Sequence, residues 1–295
     1  MNVKLNHNRA VILMVLVTLM WSSAGVVTRH IESARSFEMT FWRAFFTALS
    51  LLVILPLWRG VRVFKEMGKG GLTLWISALC WCVMFTAFMV ALTLTTVANV
   101  LVTMSIAPLL TAVIARVFIG HKIPTRTVWA IGAAGAGIVF MYATQLTSDR
   151  WMGSLVALCV PLASATNWTV TQHAHAQSPG ADMVPAVLMG AVASCLLTLP
   201  FSIPFQASAH DLALLAGLGL GQLAIPCALS VMCASVLKAP EIALLALLEV
   251  VFGIALAWMG AGEVPGMPVL VGGAIVIGAL SINEWLGMHQ RRTAT

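Results

Sequence analysis

The stretch Lys238–Val264, KAPEIALLALLEVVFGIALAWMGAGEV, places Glu249 near the middle of a run of Ile, Leu, Val, Ala and Phe long enough to cross a bilayer. A carboxylate in such a run is costly unless it faces a cavity, a partner or a transported species, so Glu249 is read first as a functional residue. Its plainer reading is a structural hydrogen bond to a neighbouring helix. The stretch has a relative 142 residues earlier, VANVLVTMSIAPLLTAVIARVFIGHKI, from Val97 to Ile123. In that register Ala98 and Asn99 fall opposite Pro240 and Glu241, Ala107 opposite Glu249, and Gly120 and His121 opposite Gly262 and Glu263. Two copies of one apolar hairpin imply internal repetition, and the differences between them mark where the halves have specialised.

Composition sets the solvent. Of 295 residues, 60% are apolar and only 9% are Asp, Glu, Lys or Arg. With a mean hydropathy of +0.97, a soluble protein of this size would lack the polar surface to meet water, so most of the surface must meet lipid. The net charge of +6 does not imply a nucleic-acid partner, because the basic residues sit in short segments between apolar runs. The six cysteines all fall inside such runs and read as small buried hydrophobes. Met1–Gly25 resembles a signal peptide in its basic start, but it shows no convincing small-x-small cleavage site and is followed by many further spans, so it is read as a retained first helix.

The expected fold is all-α and polytopic, since isolated strands cannot lie in hydrocarbon and the apolar runs lack the alternation of barrel strands. Ten spans are predicted at 10–29, 39–57, 71–93, 97–118, 127–145, 151–171, 183–203, 211–236, 240–259 and 267–286. With the N-terminus in the cytoplasm, that side receives Lys4, Arg9, Arg59, Arg62, Lys65, Lys69, Arg116, Lys122, Arg126, Lys238, Arg291 and Arg292, against Arg29, Arg35 and Arg150 outside. Twelve against three is a strong positive-inside bias and predicts cytoplasmic termini. The 172–182 segment, QHAHAQSPGAD, carries no Lys or Arg and reads as a neutral linker in preference to a His-x-His metal site.

The repeat extends further, because Val27-Thr28-Arg29-His30 matches Val170-Thr171-Gln172-His173 at an offset of 143. Two five-helix repeats, 10–145 and 151–286, follow; five is odd, so the second copy enters the membrane from the opposite side. Inverted repeats place a substrate site between the halves. Chance likeness between two apolar segments is the competing explanation. Gly132, Gly135 and Gly137 answer Gly272, Gly273 and Gly278, and Gly217 and Gly221 form a small-xxx-small pair, so close helix packing is expected at each. The fifth and tenth spans are scaffold or dimer-contact candidates, and a homodimer is one expected assembly. Pro108, Pro161 and Pro226 fall inside spans, where each removes an N–H and kinks or loosens its helix.

Candidate substrate-binding residues are the polar, aromatic and helix-breaking groups within the spans: Trp21, Ser22, Arg43, Asn99, Pro108, Asn167, Trp168 and Glu249. Arg43 either snorkels to the interface or places a charge in the cavity. Asn99 either caps its helix or lines a vestibule. Trp21 and Trp168 either pack or stack on an organic solute. A Glu249 that binds and releases a proton is what proton coupling would require.

Trp21-Ser22 with Arg29 downstream, Phe41-Trp42-Arg43, Ala107-Pro108, and Glu249 followed by Gly262-Glu263 together resemble the EamA family of the drug/metabolite transporter superfamily. The resemblance implies two tandem EamA domains over residues 10–286, cytoplasmic termini and a central cavity. It also implies export of small organic molecules such as amino acids, their derivatives, metabolites or drugs. Members often carry Gly-Glu at the end of both hairpins; this chain has Gly120-His121-Lys122 at the first, which puts in doubt any role needing a carboxylate at both corners.

The chain lacks a Gly-x-x-x-x-Gly-Lys-Ser/Thr loop and a His-Glu-x-x-His pattern, so neither an ATP-driven pump nor an enzyme is expected, and no cofactor or metal. The reading is a secondary transporter in the cell membrane, the bacterial inner membrane by the resemblance. Its partners are the lipid bilayer, a small organic solute and, if coupled, protons. A broad-specificity drug exporter, a channel and a non-transporting membrane interaction protein are the alternatives.

Overall fold

In the computed structural model the described residues are 5–67, 70–119, 125–143, 151–177, 182–237 and 239–293, and among them all regular structure is helical. The order is α1 His7–Thr28, α2 Ser36–Arg59, α3 Arg62–Met67, α4 Leu72–Leu94, α5 Val97–Met104, α6 Ala107–Ile119, α7 Thr125–Ala143, α8 Trp151–Gln177, α9 Pro185–Ser202, α10 Ala209–Gly217, α11 Ile225–Cys233, α12 Ala239–Ala261 and α13 Met267–Thr293. A π-helical stretch, Leu218–Ala224, joins α10 to α11.

Polar residues fix the helix ends. Asn6 caps α1 by accepting from the Arg9 N–H at 2.9 Å, and Thr96 caps α5 through the Asn99 N–H at 3.2 Å. Ser208 and Asp211 form a reciprocal capping box at the start of α10. Gly60 and Gly262, at φ 76° and 64°, end α2 and α12 in the left-handed region that glycine tolerates.

Among the described residues, seven helical segments are long and apolar enough to span a bilayer: His7–Thr28, Ser36–Arg59, Leu72–Leu94, Val97–Ile114, Trp151–Gln177, Pro185–Ser202 and Ala209–Cys233. Three shorter apolar stretches, Val128–Gly137, Leu245–Ala261 and Met267–Asn283, fall where further spans were expected. The surface supports the membrane reading. Leu57, Trp75, Leu79, Trp129, Leu197 and Trp258 face outward, while Arg43, Asn99, Asn167 and Glu249 are buried. This is a multi-pass membrane protein of the all-α class.

Helices pack as α4 with α8 and α9, α1 with α12 and α11, α2 with α9 and the π-helical stretch, α7 with α13, α6 with α8, and α5 with both α8 and α12. One end of the bundle is stapled by carboxylates accepting backbone N–H groups. Asp211 accepts from Glu32 (3.1 Å), Ser33 (2.9 Å), Ala34 (3.0 Å) and Ser208 (3.3 Å), and Glu38 accepts from Gln206 and Ala207, each at 2.7 Å. These bonds tie the α1–α2 connection to the α9–α10 connection.

Four sequence expectations change. The 97–118 span is not one helix: it breaks at Ser105–Ile106, because Pro108 has no N–H to give the Met104 carbonyl. The 211–236 span contains the π-helical stretch, which periodicity does not reveal. Part of the neutral linker at 172–182 is helix, since nothing before Ser178-Pro179-Gly180 stops α8, and His173 and His175 lie on its last turns. Gly217 and Gly221 face open space; the glycine that packs is Gly219, where a Cβ would come within 2.5 Å of Phe46 Cβ and 2.9 Å of the Thr47 nitrogen on α2. Gly132, Gly135 and Gly278 also face open space, while Gly137 meets the Gly272 carbonyl and Gly273 meets Val102. His121, Lys122 and Arg150 lie outside the described residues.

Candidate solute cavity

A cavity of about 880 Å³, counting its opening, lies between α1, α2, α4, α5, α6, α8, the π-helical stretch, α11 and α12. Its walls are mainly aromatic and aliphatic: Trp21, Trp81, Phe85, Phe88 and Trp168 supply rings, and Met84, Met104 and Leu247 fill between them. Trp81 meets Phe85 at 5.4 Å between ring centroids and Trp168 edge-on at 6.0 Å, an arrangement that fixes the rings against each other. Polar lining is sparse and comprises Arg43, Ser105, Ser164, Gln222, Cys227 and Glu249. Such a site, with apolar walls and a few placed polar groups, suits a small organic ligand.

Arg43 is held from three sides. It donates from Nη1 to Gln222 Oε1 at 3.3 Å and from Nη2 to the Phe85 carbonyl at 3.0 Å, and its guanidinium sits 5.5 Å from the Phe88 ring centroid. At 1% exposure it does not snorkel. Gln222 is itself clamped, because its Nε2 donates to the Trp21 carbonyl at 3.3 Å. The π-helical stretch aims this amide, while Thr47 Oγ1 bonds both the Arg43 carbonyl (2.8 Å) and the Gly219 carbonyl (3.2 Å). Irregular backbone beside a buried charge is a frequent mark of a functional helix.

Glu249 is the opposite case. It lines the same cavity at 7% exposure, and among the described residues no basic group comes within 4.0 Å of it. Among the described residues, the cavity thus holds a cation bonded to Gln222 and the Phe85 carbonyl and a carboxylate with no basic group in contact.

Of the eight residues singled out in the sequence, Trp21, Arg43, Pro108, Trp168 and Glu249 line the cavity. Ser22, Asn99 and Asn167 do not. Ser22 Oγ bonds the Leu19 carbonyl on its own helix. Asn99 is buried and donates to Thr95 Oγ1 at 3.0 Å and Ser154 Oγ at 2.7 Å, joining α5 to α8. Asn167 accepts from Ser77 Oγ at 2.6 Å, joining α8 to α4. An amide in a span has partners to find, and here two of them found neighbouring helices. The sequence reading missed Gln222, whose signal was an amide inside the apolar run Leu212–Met232. Trp81, Phe85 and Phe88 carried no distinguishing signal within an apolar span.

Residues 8–143 match the model of the EamA-like transporter family. Over that part the chain belongs to this family. It is a family of transporters, so membership there bears on the transporter reading and not on an enzymatic one. The EamA region contains α1 to α7 and supplies Trp21, Arg43, Trp81 and Pro108 to the cavity, whereas Trp168, Gln222 and Glu249 come from beyond it. No curated protein sequence matches the chain. Among solved structures it is similar to one described as "Crystal structure of protein", with a TM-score of 0.66 at 15% identity over 96% of this chain and 99% of the other. At that identity the likeness concerns the fold alone.

Proposed function

We propose that this protein is a secondary transporter that moves small organic molecules bearing an amino group, such as amino acids or their derivatives, out of the cell by alternating access. The observation that carries the reading is Glu249, buried in an aromatic cavity with no basic group among the described residues in contact, on the same cavity as an Arg43 already bonded to Gln222 and Phe85 and set beside Phe88. A cationic nitrogen meets Glu249 and the apolar body lies among the rings. Proton exchange at the same carboxylate would couple transport to the proton gradient.

Two inverted five-helix repeats, 10–145 and 151–286, are supported by the packing. Exchanging α1, α2, α4, α5–α6 and α7 for α8, α9, α10–α11, α12 and α13 turns the α4–α8 contact into α11–α1. It turns α1–α12 into α8–α6, and α4–α9 into the contact of the π-helical stretch with α2. The pairs α2–α9 and α7–α13 map onto themselves. A site between such halves is reachable from each side in turn as they rock. The lysine and arginine bias supports cytoplasmic termini.

The test is accumulation of labelled amino acids and cationic dyes in cells with the intact protein, with Glu249→Gln and with no protein, each with and without an uncoupler. Lower accumulation with the intact protein alone, abolished by the uncoupler at matched membrane potential, supports proton-coupled export. Equal accumulation of every compound, with all proteins present in the membrane, overturns the reading for these solutes. The ring-lined walls and sparse fixed polar groups favour a second reading, a broad-specificity drug exporter, which would protect against several unrelated amphipaths.

A further inference from the structure

At the bundle end farther from the chain termini, one guanidinium gathers three helix ends. Arg29, which closes α1, donates from Nε to Glu263 Oε2 at 2.8 Å, from Nη1 to the Leu92 carbonyl at 2.9 Å and from Nη2 to the Thr95 carbonyl at 2.8 Å. Glu263, just past the end of α12, turns its other oxygen to the Val97 N–H at 2.6 Å. The cation therefore sits on the carbonyl-rich C-terminal end of α4 and the carboxylate on the N-terminal end of α5, so each charge complements the helix end it meets.

The four joined helices all reach the cavity, through Trp21 on α1, Phe88 on α4, Leu101 on α5 and Glu249 on α12. Both side chains keep contact with solvent, at 30% and 15% exposure, so the pair can open without stranding a charge in hydrocarbon. The repeat register sets Gln172 opposite Arg29 and His121 opposite Glu263. In sequence, the matching positions thus carry an amide and an imidazole in place of the Arg–Glu pair.

We propose that Arg29 and Glu263 form a latch that holds the cavity shut at the end opposite the termini, so that the resting protein opens first on the side of the termini. This rests on the alternating-access reading above. With cytoplasmic termini, such a bias loads solute from inside and fits export.

Oriented vesicles test it. Ser164, half-buried on the cavity wall of α8, is replaced in a chain whose six native cysteines are changed to Ala, giving Ser164→Cys as the sole thiol. A membrane-impermeant maleimide is added to one face at a time, with orientation set by accessibility of an N-terminal tag. Labelling is expected about tenfold faster from the face of the termini, and Arg29→Ala or Glu263→Gln is expected to raise labelling from the opposite face about tenfold. Equal labelling from both faces with the latch intact, or no rise with either substitution, overturns the latch. If the thiol background fails to reach the membrane, hydrogen exchange on the native-cysteine chain decides: faster exchange in the first turn of α5 in Glu263→Gln supports the latch, and unchanged exchange overturns it. Solute export measured in the same cells separates the two readings. Latch-dependent labelling without solute movement overturns the transporter alone; export with latch-insensitive labelling overturns the latch alone.

Discussion

The two stretches that align in sequence, 97–123 and 238–264, use one apolar pattern differently. In the first, Ala107-Pro108 follows a break in the helix at Ser105–Ile106, and Met104, Ser105, Ala107 and Pro108 all face the cavity. In the second, α12 runs unbroken from Ala239 to Ala261 and sets Glu249 at the position matching Ala107. The first copy supplies backbone loosened by proline, and the second supplies charge on an intact helix. A loosened backbone is tolerated in a membrane where it borders a cavity, and a carboxylate is tolerated for the same reason. Under the proposed repeat, a duplicated element divides the two costs of a polar site between its copies.

The division can be broken most severely at the charge. Glu249→Gln is expected to lower solute export at least about tenfold, as loss of a single ionic contact at a binding site does, while the amount of protein in the membrane stays the same. Restoring a carboxylate in the other copy, as Glu249→Ala with Ala107→Glu, is expected to leave export low. The new group would stand on the broken helix, displaced from the position that α12 provides; recovery of export would show that the copies are interchangeable.

Next in size is the break itself. Pro108→Ala gives the Met104 carbonyl a donor and is expected to raise thermal stability, since an interior proline costs about 3 kcal/mol, while slowing transport several-fold. A rise in stability with unchanged transport would make the break incidental. Gln222→Leu removes an acceptor from Arg43, and a hydrogen bond to a charged group contributes about 1.5–3 kcal/mol, so a drop in melting temperature in detergent is expected. The smallest effect is expected at Ser77→Ala, where loss of the bond to Asn167 costs about 1 kcal/mol in the same assay and leaves export unchanged, because neither residue lines the cavity.

The contrast also shows why the candidate site was only partly legible. Arg43 and Glu249 stood out because a charge in an apolar run has few bland explanations. Asn99, opening its span, and Asn167, deeper in its own, both turned to hydroxyls on adjacent helices, Ser154 and Ser77, a choice made by which helices touch. Gln222 was visible as an amide in a span, but its role depends on a π-helical turn that hydropathy cannot register. The Arg29–Glu263 pair joins residues 234 positions apart, and each alone reads as an interface charge.

By itself the sequence determined the solvent, the helical class and the likeness between two hairpins, because hydrocarbon imposes its demands on each span separately: about 20 apolar residues, with every backbone group bonded within the helix. Only the tertiary structure decided which polar side chains meet each other and which are left facing the cavity. That choice depends on the rotation of each helix about its axis and on its neighbours. Both are set by packing between segments distant in the chain, as where Gly219 lets the π-helical stretch settle on α2 and brings Gln222 to Arg43.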